Sequence, residues 1–576
     1  MYRVPLRPVL LTVAAGGSVG GGWLYFDLIG RDAPDLFDGL RAGLFTVTLF
    51  WLIWGGMTGL LGALLPRPKS KRLTGEPVGR TAILVPIYHE DPAETFSRIA
   101  AMNRSLVAAD MAAKFHFIVL SDSQALKAAA DEAMWFERLV HEPLSEGRIF
   151  YRRRERNTGR KAGNIEDFVV RSGAAYDYAL ILDADSLMDG DTIVQMALRM
   201  DAEPRLGLLQ SVPVVIGAKT LFGRVMAYAS AYLSPYFSLG AARIQGEQGP
   251  YWGHNAIVRL TAFAASCGLP ELGGKPPGGG QILSHDYVEA ALLARAGWQV
   301  MLDPNLGGSF ENGPENLIEY AKRDRRWCQG NLQHRRLIGA PGLHCWSRFT
   351  FLQGMMAYLA SPLWLALLAA SLLAAALPDA RPGPVDARFH LLAVAVISVL
   401  LLPKLVIFLR SILDGHSRRF GGGLRVGASV VAEILLSTIL APVLMCFQTR
   451  AVFEFYSGLD GGWPATQRDA TRLSFHEAWR ASWWIVASGS LVLALALVFA
   501  PAAVAWLLPV LLPAIGAPLL IVVTSMTINR RGLFQTAVER DPPPIVRAQQ
   551  AILQAWTRHG PELPLDPMPV SDHVSA

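Results

Sequence analysis

The sequence predicts a multi-pass α-helical membrane protein that also carries an α/β domain. Of its 576 residues, 52% are hydrophobic and only 17% are charged, whereas about 25% of the residues in soluble domains are charged. The hydrophobic residues form long blocks, except between Thr81 and Gly339. There no run reaches the ~18 apolar residues of a membrane span, and strand-like runs alternate with helical patterns. Such alternation is typical of an α/β domain with a mostly parallel sheet.

The first two apolar blocks predict a transmembrane hairpin over residues 1–72. They run from Pro8 to Ile29 and from Gly43 to Leu65. A basic cluster follows them, formed by Arg67, Lys69, Lys71 and Arg72. Because Lys and Arg are enriched on the cytoplasmic side of membrane spans, we expect this cluster to stay inside. The α/β domain, residues 80–340, is then cytoplasmic.

Five later apolar blocks predict a C-terminal transmembrane bundle over residues 346–526, with a cytoplasmic loop at 448–480. The blocks are Thr350–Leu377, Phe389–Leu409, Gly427–Phe447, Ser482–Ala500 and Val504–Val523. The third block contains Glu433 and Pro442, and an ionisable residue at mid-bilayer is costly. Since both the loop and the tail are expected inside, we predict that this block is interfacial, broken or re-entrant. Residues 527–576 are predicted to form a mostly loose cytoplasmic tail.

Charge and cysteine content exclude several classes of function. The formal net charge is +6, and the basic surplus lies beside the apolar blocks, where it suits anionic membrane lipids. We therefore predict no nucleic-acid partner. The four cysteines show no Cys-x-x-Cys spacing, so neither a zinc site nor a disulfide framework is indicated.

Polar residues follow several predicted strands of the α/β domain. These strands are Thr81–Ile87, Phe115–Leu120, Ile149–Arg152, Tyr178–Leu182 and Gly207–Gln210. Ligands of open α/β sheets bind outside the carboxyl ends of the strands, so the polar exits should converge there. Asp183 and Asp185 could hold Mg²⁺ or Mn²⁺ beside a phosphate, although an Asp-rich turn has the same pattern.

The other exits have two interpretations each. Tyr88 and Glu90 could stack on and hydrogen-bond a flat base, or form an ordinary turn. Asp122 could accept from a pyrimidine N–H, or cap a helix. Lys161, in a glycine-containing basic segment before a helical pattern, could bind a diphosphate or be solvated.

Two further segments carry candidate residues. Asp286 precedes a helical pattern and is either an N-cap or the general base that deprotonates a sugar hydroxyl. Arg326 and Trp327 lie just before the chain returns to the membrane. They could anchor at the headgroups, or clamp a pyrophosphate and stack on a sugar.

Taken in order along the chain, these motifs resemble the processive family 2 glycosyltransferases typified by cellulose synthase. Two motifs depart from that pattern: Ser284-His285-Asp286 replaces Thr-Glu-Asp, and Arg323 replaces the Gln of Gln-x-x-Arg-Trp. With Gly249–Asn255 and Gly462–Arg468, they closely resemble the glucans biosynthesis glucosyltransferase H family. The resemblance implies a GT-A domain in the bacterial inner membrane. It also implies synthesis of the β-1,2-glucan backbone of osmoregulated periplasmic glucans from UDP-glucose.

The resemblance also implies roles for individual residues. Asp286 would be the catalytic base, and Asp183 and Asp185 would bind the metal. UDP would contact Pro86, Tyr88, Glu90, Asp122, Lys161, Asp183 and Arg326. The acceptor would contact Trp252, His254, Asn255 and Trp327, with Tyr251 as a further candidate. Trp463, Gln467 and Arg468 would form a mobile loop over the nucleotide.

The implied partners are a growing glucan chain and membrane lipids, with a periplasmic glucan-processing protein and acyl carrier protein as candidates. One alternative is a synthase of another β-linked polysaccharide, such as a cellulose-, hyaluronan- or chitin-like polymer. An alternative from another class is a membrane transporter or scaffold whose α/β domain only senses a nucleotide.

Overall fold

The computed structural model describes residues 6–30, 35–67, 72–142, 144–376, 387–459, 472–529 and 532–560. The chain consists of long apolar helices and one α/β domain. The helices outside the domain are α1 Leu6–Gly30, α2 Leu36–Leu64, α12 Cys345–Ala376, α13 Ala387–Leu413, α14 Gly423–Tyr456, α15 Phe475–Phe499, α16 Val504–Ile515, α17 Ala517–Thr524, α18 Ala537–Arg540 and α19 Pro544–His559.

The α/β domain contains ten strands and nine helices in the part of the chain that the structure describes. Its strands are β1 Thr81–Ile87, β2 Phe115–Ser121, β3 Ile149–Arg153, β4 Tyr178–Ile181, β5 Leu187–Met188, β6 Leu206–Ser211, β7 Val214–Ile216, β8 Ala256–Arg259, β9 Gln299–Asp303 and β10 Ser309–Asn312. Its helices are α3 Pro92–Ala108, α4 Leu126–Val140, α5 Arg160–Ser172, α6 Gly190–Ala202, α7 Leu221–Tyr232, α8 Ser234–Gln245, α9 Leu260–Ser266, α10 His285–Arg295 and α11 Leu317–Gln333.

The main sheet has seven strands in the order β3-β2-β1-β4-β8-β6-β9. All neighbours are parallel except β8, which is antiparallel to β4 and β6. All five predicted strands are present with ends within one residue, and the mostly parallel sheet is confirmed. A second sheet, β5-β10-β7, lies outside the five predicted runs.

Both faces of the main sheet are buried, which explains why its strands are almost continuously apolar. Alternate residues of β1 face opposite layers: Ile83 and Val85 pack in one apolar cluster, whereas Ala82 and Leu84 pack in another. The parallel register pairs Ile87 of β1 with Ser121 of β2, so both strands end at the same edge. The polar exits of the sheet are therefore brought together, as the sequence predicts.

Six of the described helices are long and apolar enough to cross a membrane: α1, α2, α12, α13, α14 and α15. A seventh candidate is the pair α16–α17, which is bent by 58° at its break. The domain-side ends of the first hairpin contact the α/β domain directly. Arg7 of α1 donates to the Ile244 carbonyl at 2.7 Å, and Gly62 of α2 packs against the backbone of Tyr236.

Helix α14 corrects one part of the prediction for residues 427–447. The segment is not broken, because Pro442 lies inside one continuous helix of 34 residues. The break falls instead in the last apolar block, at Gly516 between α16 and α17.

The interfacial or re-entrant position of α14 stays a prediction, because the helix is also long and apolar enough to cross a membrane. Val426 packs with α7 near one end, Val443 packs with Leu317 of α11 near the middle, and Gln448 donates to Asp324 of α11 at 2.8 Å. A helix that crosses the membrane would contact the domain only near one of its ends, because the bilayer core is about 30 Å thick. Here α14 contacts α11 of the domain and also packs against α12 and α16, which lie outside the domain. Glu433, the costly residue of this block, lies 2.6 Å from Lys404.

The prediction of a mostly loose C-terminal tail is wrong for residues 532–560. Helix α19 packs on α3, and its residues Ile545, Ile552 and Trp556 are buried in the core of the α/β domain. The Trp556 ring stacks on Trp135 of α4 at 5.7 Å between centroids. The proline run Pro542-Pro543-Pro544 ends at the start of this helix, where proline is tolerated.

Replacing Trp556 with alanine should lower the stability of the domain. Removing a buried Trp side chain typically costs ~3–5 kcal/mol, because the cavity collapses only partly. We expect a clearly lower thermal midpoint for the protein in detergent, measured by intrinsic fluorescence. Gln554, exposed on the same helix, provides the control: Q554A should leave the midpoint unchanged. Equal midpoints for W556A and the parent protein would show that α19 does not stabilise the domain.

Candidate active site at the carboxyl edge of the sheet

The loops that follow β1 and β2 are joined by hydrogen bonds. Beyond Pro86 on β1, Tyr88 is 38% exposed, so its ring is open to a ligand. The Tyr88 N–H donates to the Glu90 carboxylate, which is therefore turned toward its own backbone. His89 adopts a left-handed conformation with φ 61°, and its N–H donates to Ser123 Oγ at 2.9 Å.

Asp122, the residue predicted to read a pyrimidine, is held by Arg154. Arg154 Nε and Nη2 donate to the two carboxylate oxygens at 2.8 and 2.9 Å, a bidentate arrangement that fixes the carboxylate plane. Arg154 also donates to the carbonyls of Thr158 at 3.0 Å and Arg160 at 3.2 Å. It thus joins the β2 exit to the glycine-containing basic turn. No sequence pattern indicates this role, since Arg154 lies in an arginine-rich segment.

Glu132 of α4 is a second residue that sequence reasoning missed. It is 1% exposed and accepts hydrogen bonds from Ser121 at 2.6 Å and from Tyr151 at 2.8 Å. Its other carboxylate oxygen accepts from Ser123. Burial raises the pKa of Tyr151 to about 12, so this hydroxyl remains a donor at neutral pH. Glu132 therefore fixes the two serines that flank Asp122.

Replacing Glu132 with alanine should weaken nucleotide binding more than it slows turnover. The substitution leaves two buried serine hydroxyls and the half-buried Tyr151 hydroxyl without their acceptor, and each buried unsatisfied group costs ~1–3 kcal/mol. We expect a higher KM for the donor and a lower thermal midpoint, with a smaller change in kcat. Glu137 is exposed on the same helix, so E137A serves as the matched control. An unchanged donor KM in E132A would exclude the role assigned to Glu132.

Asp183 and Lys161 form the centre of the site. Lys161 Nζ donates to Asp183 and, at 2.7 Å, to the Gly253 carbonyl. Desolvation alone would raise the pKa of Asp183, but Lys161 and His254 hold it well below its usual range. Asp183 is therefore a carboxylate at neutral pH, and Asp185, two residues later, is buried at 7% exposure.

The Gly253 turn joins this centre to Asp286. Gly253 has φ +83°, and a Cβ built on it would lie 3.4 Å from the nearer Asp286 carboxylate oxygen. Glycine is needed here both for the left-handed backbone and for space. Asp286 is the second residue of α10, whose N-cap is Ser284, so the alternative that Asp286 is an N-cap is wrong. Desolvation raises the pKa of Asp286, and His285 beside it opposes the rise.

The residues predicted to bind an acceptor fall into two groups. Trp252 is half-buried, and His254 Nε2 lies 3.5 Å from the carboxylate of Glu311, a residue of β10 that was not predicted. Tyr251 and Asn255 are both 0% exposed. Asn255 donates to Ser309 Oγ at 2.8 Å and has φ 51°, so it holds the turn rather than facing the site.

Helix α11 supplies the basic and aromatic side of the site. The Arg323 guanidinium lies 4.3 Å from the centre of the Trp327 ring, and Trp327 is 43% exposed. Arg323 also lowers the pKa of Asp183, which places its charge near the centre. Arg326 lies on the same helix, half-buried. The predicted mobile loop with Trp463, Gln467 and Arg468 lies outside the described residues.

The carboxylates fit a divalent metal ion bound together with a phosphate. Within the described ranges, no three His, Cys, Asp or Glu side chains are grouped so as to hold a metal by themselves. Mg²⁺ commonly takes one or two carboxylates and completes its shell with water and substrate phosphates. Asp183 and Asp185 supply that number of hard oxygen donors.

Comparison with known proteins agrees with this architecture. Residues 82–266 match the family described as Glycosyl transferase family 2, and residues 178–409 match Glycosyl transferase family group 2. The solved structure of a mannosyltransferase from Pyrobaculum calidifontis in complex with GDP-Man and Mn²⁺ is 17% identical. It covers 65% of this chain and 96% of its own, with a TM-score of 0.42. By its two family matches, the α/β domain is a glycosyltransferase domain of family 2 with the GT-A fold, in a chain with six described helices long and apolar enough to cross a membrane.

Relatives at higher identity narrow the class to a family. The glucans biosynthesis glucosyltransferase H of Cereibacter sphaeroides is 50% identical over 96% of this chain and 95% of its own length. The protein of the same name from Caulobacter vibrioides is 40% identical over 94% and 85%. The chain belongs to the glucans biosynthesis glucosyltransferase H family, as its motifs predict.

Proposed function

We propose that this enzyme transfers glucose from UDP-glucose to the end of a growing glucan chain, and that the product is the β-1,2-linked backbone of osmoregulated periplasmic glucans. The catalytic domain then faces the cytoplasm and the helices span the bacterial inner membrane. The observation that carries the proposal is the convergence at Gly253: the turn contacts Asp286 on one side, and its carbonyl binds Lys161 beside Asp183 on the other. The proposed base, Asp286, therefore lies next to the proposed phosphate-binding centre formed by Lys161 and Asp183.

The transfer is a single displacement. Asp286 takes the proton of the acceptor hydroxyl while that oxygen forms a bond to the anomeric carbon, and the bond from this carbon to the UDP oxygen breaks on the opposite face. The configuration inverts, and the α-linked donor yields a β-linkage. One catalytic carboxylate suffices, because UDP leaves as an anion that needs charge stabilisation rather than protonation.

The cationic side of the site stabilises the leaving diphosphate. Lys161, Arg323 and Arg326 supply fixed positive charge around it. Asp183 and Asp185 would hold Mg²⁺ or Mn²⁺, which supplies Lewis-acid stabilisation of the phosphate oxygens when bound. Lys161 keeps Asp183 ionised for this purpose.

Residues in the loops that follow β1 and β2 would bind the uridine. The open ring of Tyr88, beyond Pro86, offers a stacking surface, and Asp122 offers an acceptor for the N–H of uracil. A carboxylate has about four acceptor positions, so Asp122 can serve both Arg154 and a base. Glu90 supports the turn that presents Tyr88.

The acceptor sugar would lie between Trp252, His254 and Trp327. Aromatic rings pack against the apolar faces of sugars, and His254 with Glu311 provides polar contacts for hydroxyl groups. The helices beside this site would accept the growing chain for export. A periplasmic glucan-processing protein and acyl carrier protein are the partners that the family suggests for later steps.

The test uses purified protein in lipid with Mg²⁺ and radiolabelled donors, followed by linkage analysis of any polymer. We expect β-1,2-glucan from UDP-glucose and no polymer from UDP-N-acetylglucosamine, UDP-glucuronate or GDP-mannose. Turnover with another donor alone would assign the chain to a different β-linked polysaccharide. Nucleotide binding without turnover of any donor would favour the nucleotide-sensing transporter or scaffold.

A further inference from the structure

The histidine that precedes the proposed base lies at ion-pair distance from a carboxylate on the same helix. His285 Nδ1 lies 3.1 Å from Glu289 Oε1, and the two side chains are 12% and 5% exposed. Residues four apart share one face of a helix, so the backbone of α10 presents this pair without further support. The pair is shielded from solvent and lies directly beside Asp286.

Other titratable groups surround the pair from several elements. They are Lys161 of α5, Asp183 after β4, Tyr251 before β8, Cys267 after α9, Tyr287 of α10 and His334 after α11. Burial holds four of them neutral near pH 7: it raises the pKa of Tyr251 and Cys267, raises that of Tyr287 to about 12, and lowers that of His334 to about 4. Lys161 is cationic but is bound to Asp183.

The remaining charges around Asp286 are those of His285 and Glu289. Desolvation by itself lowers the pKa of His285, but Glu289 and Asp286 raise it above the usual value. A protonated His285 then places positive charge beside Asp286, whose pKa it lowers against the effect of desolvation. The Tyr287 N–H and, more weakly, Lys161 also lower the pKa of Asp286, but His285 contributes the largest of these opposing effects.

We propose that His285 is a positioning residue for the base: Glu289 clamps it on α10, and its positive charge keeps Asp286 ionised and able to accept the proton of the acceptor hydroxyl. The inference rests on the proposed function, because it takes Asp286 as the base. This inference assigns a role to His285, the residue that occupies the position of Glu in the Thr-Glu-Asp motif of cellulose synthases.

The test is the pH dependence of kcat/KM for glucosyl transfer. Because H285Q alone leaves Glu289 buried without its cation, which is strongly destabilising, the H285Q/E289Q variant carries the test. Removing the cation raises the pKa of Asp286, and removing the Glu289 carboxylate lowers it by less, so the net pKa rises, and activity should be lost at low pH and recovered as the pH rises. We expect the acidic limb of the profile to move up by about one pH unit, the lower end of what an adjacent opposite charge contributes.

Two companion variants complete the experiment. H285R, with Glu289 retained, restores a permanent cation and should keep the acidic limb near its parental position. H116Q is the control, since His116 is bound to Tyr176 near the opposite end of β2. An acidic limb of H285Q/E289Q at the parental pH, whatever the loss in rate, would overturn the inference. The D286N variant distinguishes the role of Asp286 from that of His285. Activity retained in D286N would contradict Asp286 as the base. An inactive D286N, together with an unshifted acidic limb in H285Q/E289Q, would contradict only the role of His285.

Discussion

Replacing Asp286 with asparagine is expected to lower glucosyl transfer by about 10²–10⁴-fold, the usual contribution of a positioned general base. Asparagine has nearly the same shape but cannot take the acceptor proton. Because the Gly253 turn separates Asp286 from Lys161 and Asp183, binding of UDP-glucose should be nearly unchanged. The measurement pairs initial rates of polymer formation with calorimetric titration of the nucleotide sugar.

Asp191 provides a control in the same structural position. Like Asp286, it is the second residue of a helix, α6, but it pairs with Arg72 away from the site. D191N should transfer glucose at the parental rate. If D286N and D191N were equally active, another group would have to serve as the base.

The second large effect is expected at Asp185. This carboxylate is buried next to Asp183 and would share the metal ion with the diphosphate. D185N should lose both donor affinity and rate, by at least the ~10²–10³-fold that a single charge-stabilising group contributes. The parent enzyme treated with EDTA should be equally impaired, and adding Mg²⁺ or Mn²⁺ should restore it.

A comparison of metal titrations completes this test. In D185N, added Mg²⁺ should no longer restore activity at concentrations that saturate the parent enzyme, whereas D191N should respond as the parent does. A D185N enzyme with the parental metal dependence would place the metal elsewhere.

The parts of the fold that could be predicted from the sequence are those with a strong local signal. β1 and β4 are apolar runs that end abruptly at polar residues, and burial on both faces of the sheet requires that pattern. By contrast, β5 and β7 have only two and three residues, too short to show a period. Helix α19 is not predicted because its buried residues are separated by polar ones. Their burial depends on packing against α3 and α4, which the sequence of this segment does not show.

The candidate site divides in the same way. Asp183 and Asp286 were identifiable because they follow or precede recognisable elements. Arg154 and Glu132 were not, because their roles arise from partners 32 residues away for Arg154 and 9 to 19 for Glu132. Asn255 is the opposite case, a predicted site residue that does not face the site. It is wholly buried because β10 packs against its turn, a contact that the sequence does not show.

The most direct test of the central claim is an experimental structure of the protein in lipid with UDP and Mg²⁺. We expect the uracil ring to lie against Tyr88 with its N–H toward Asp122, and the diphosphate to lie between Asp185 and Lys161, with Asp286 facing an open acceptor position. A nucleotide bound away from the carboxyl edge of the sheet, or one whose diphosphate contacts neither Lys161 nor the two aspartates, would contradict it.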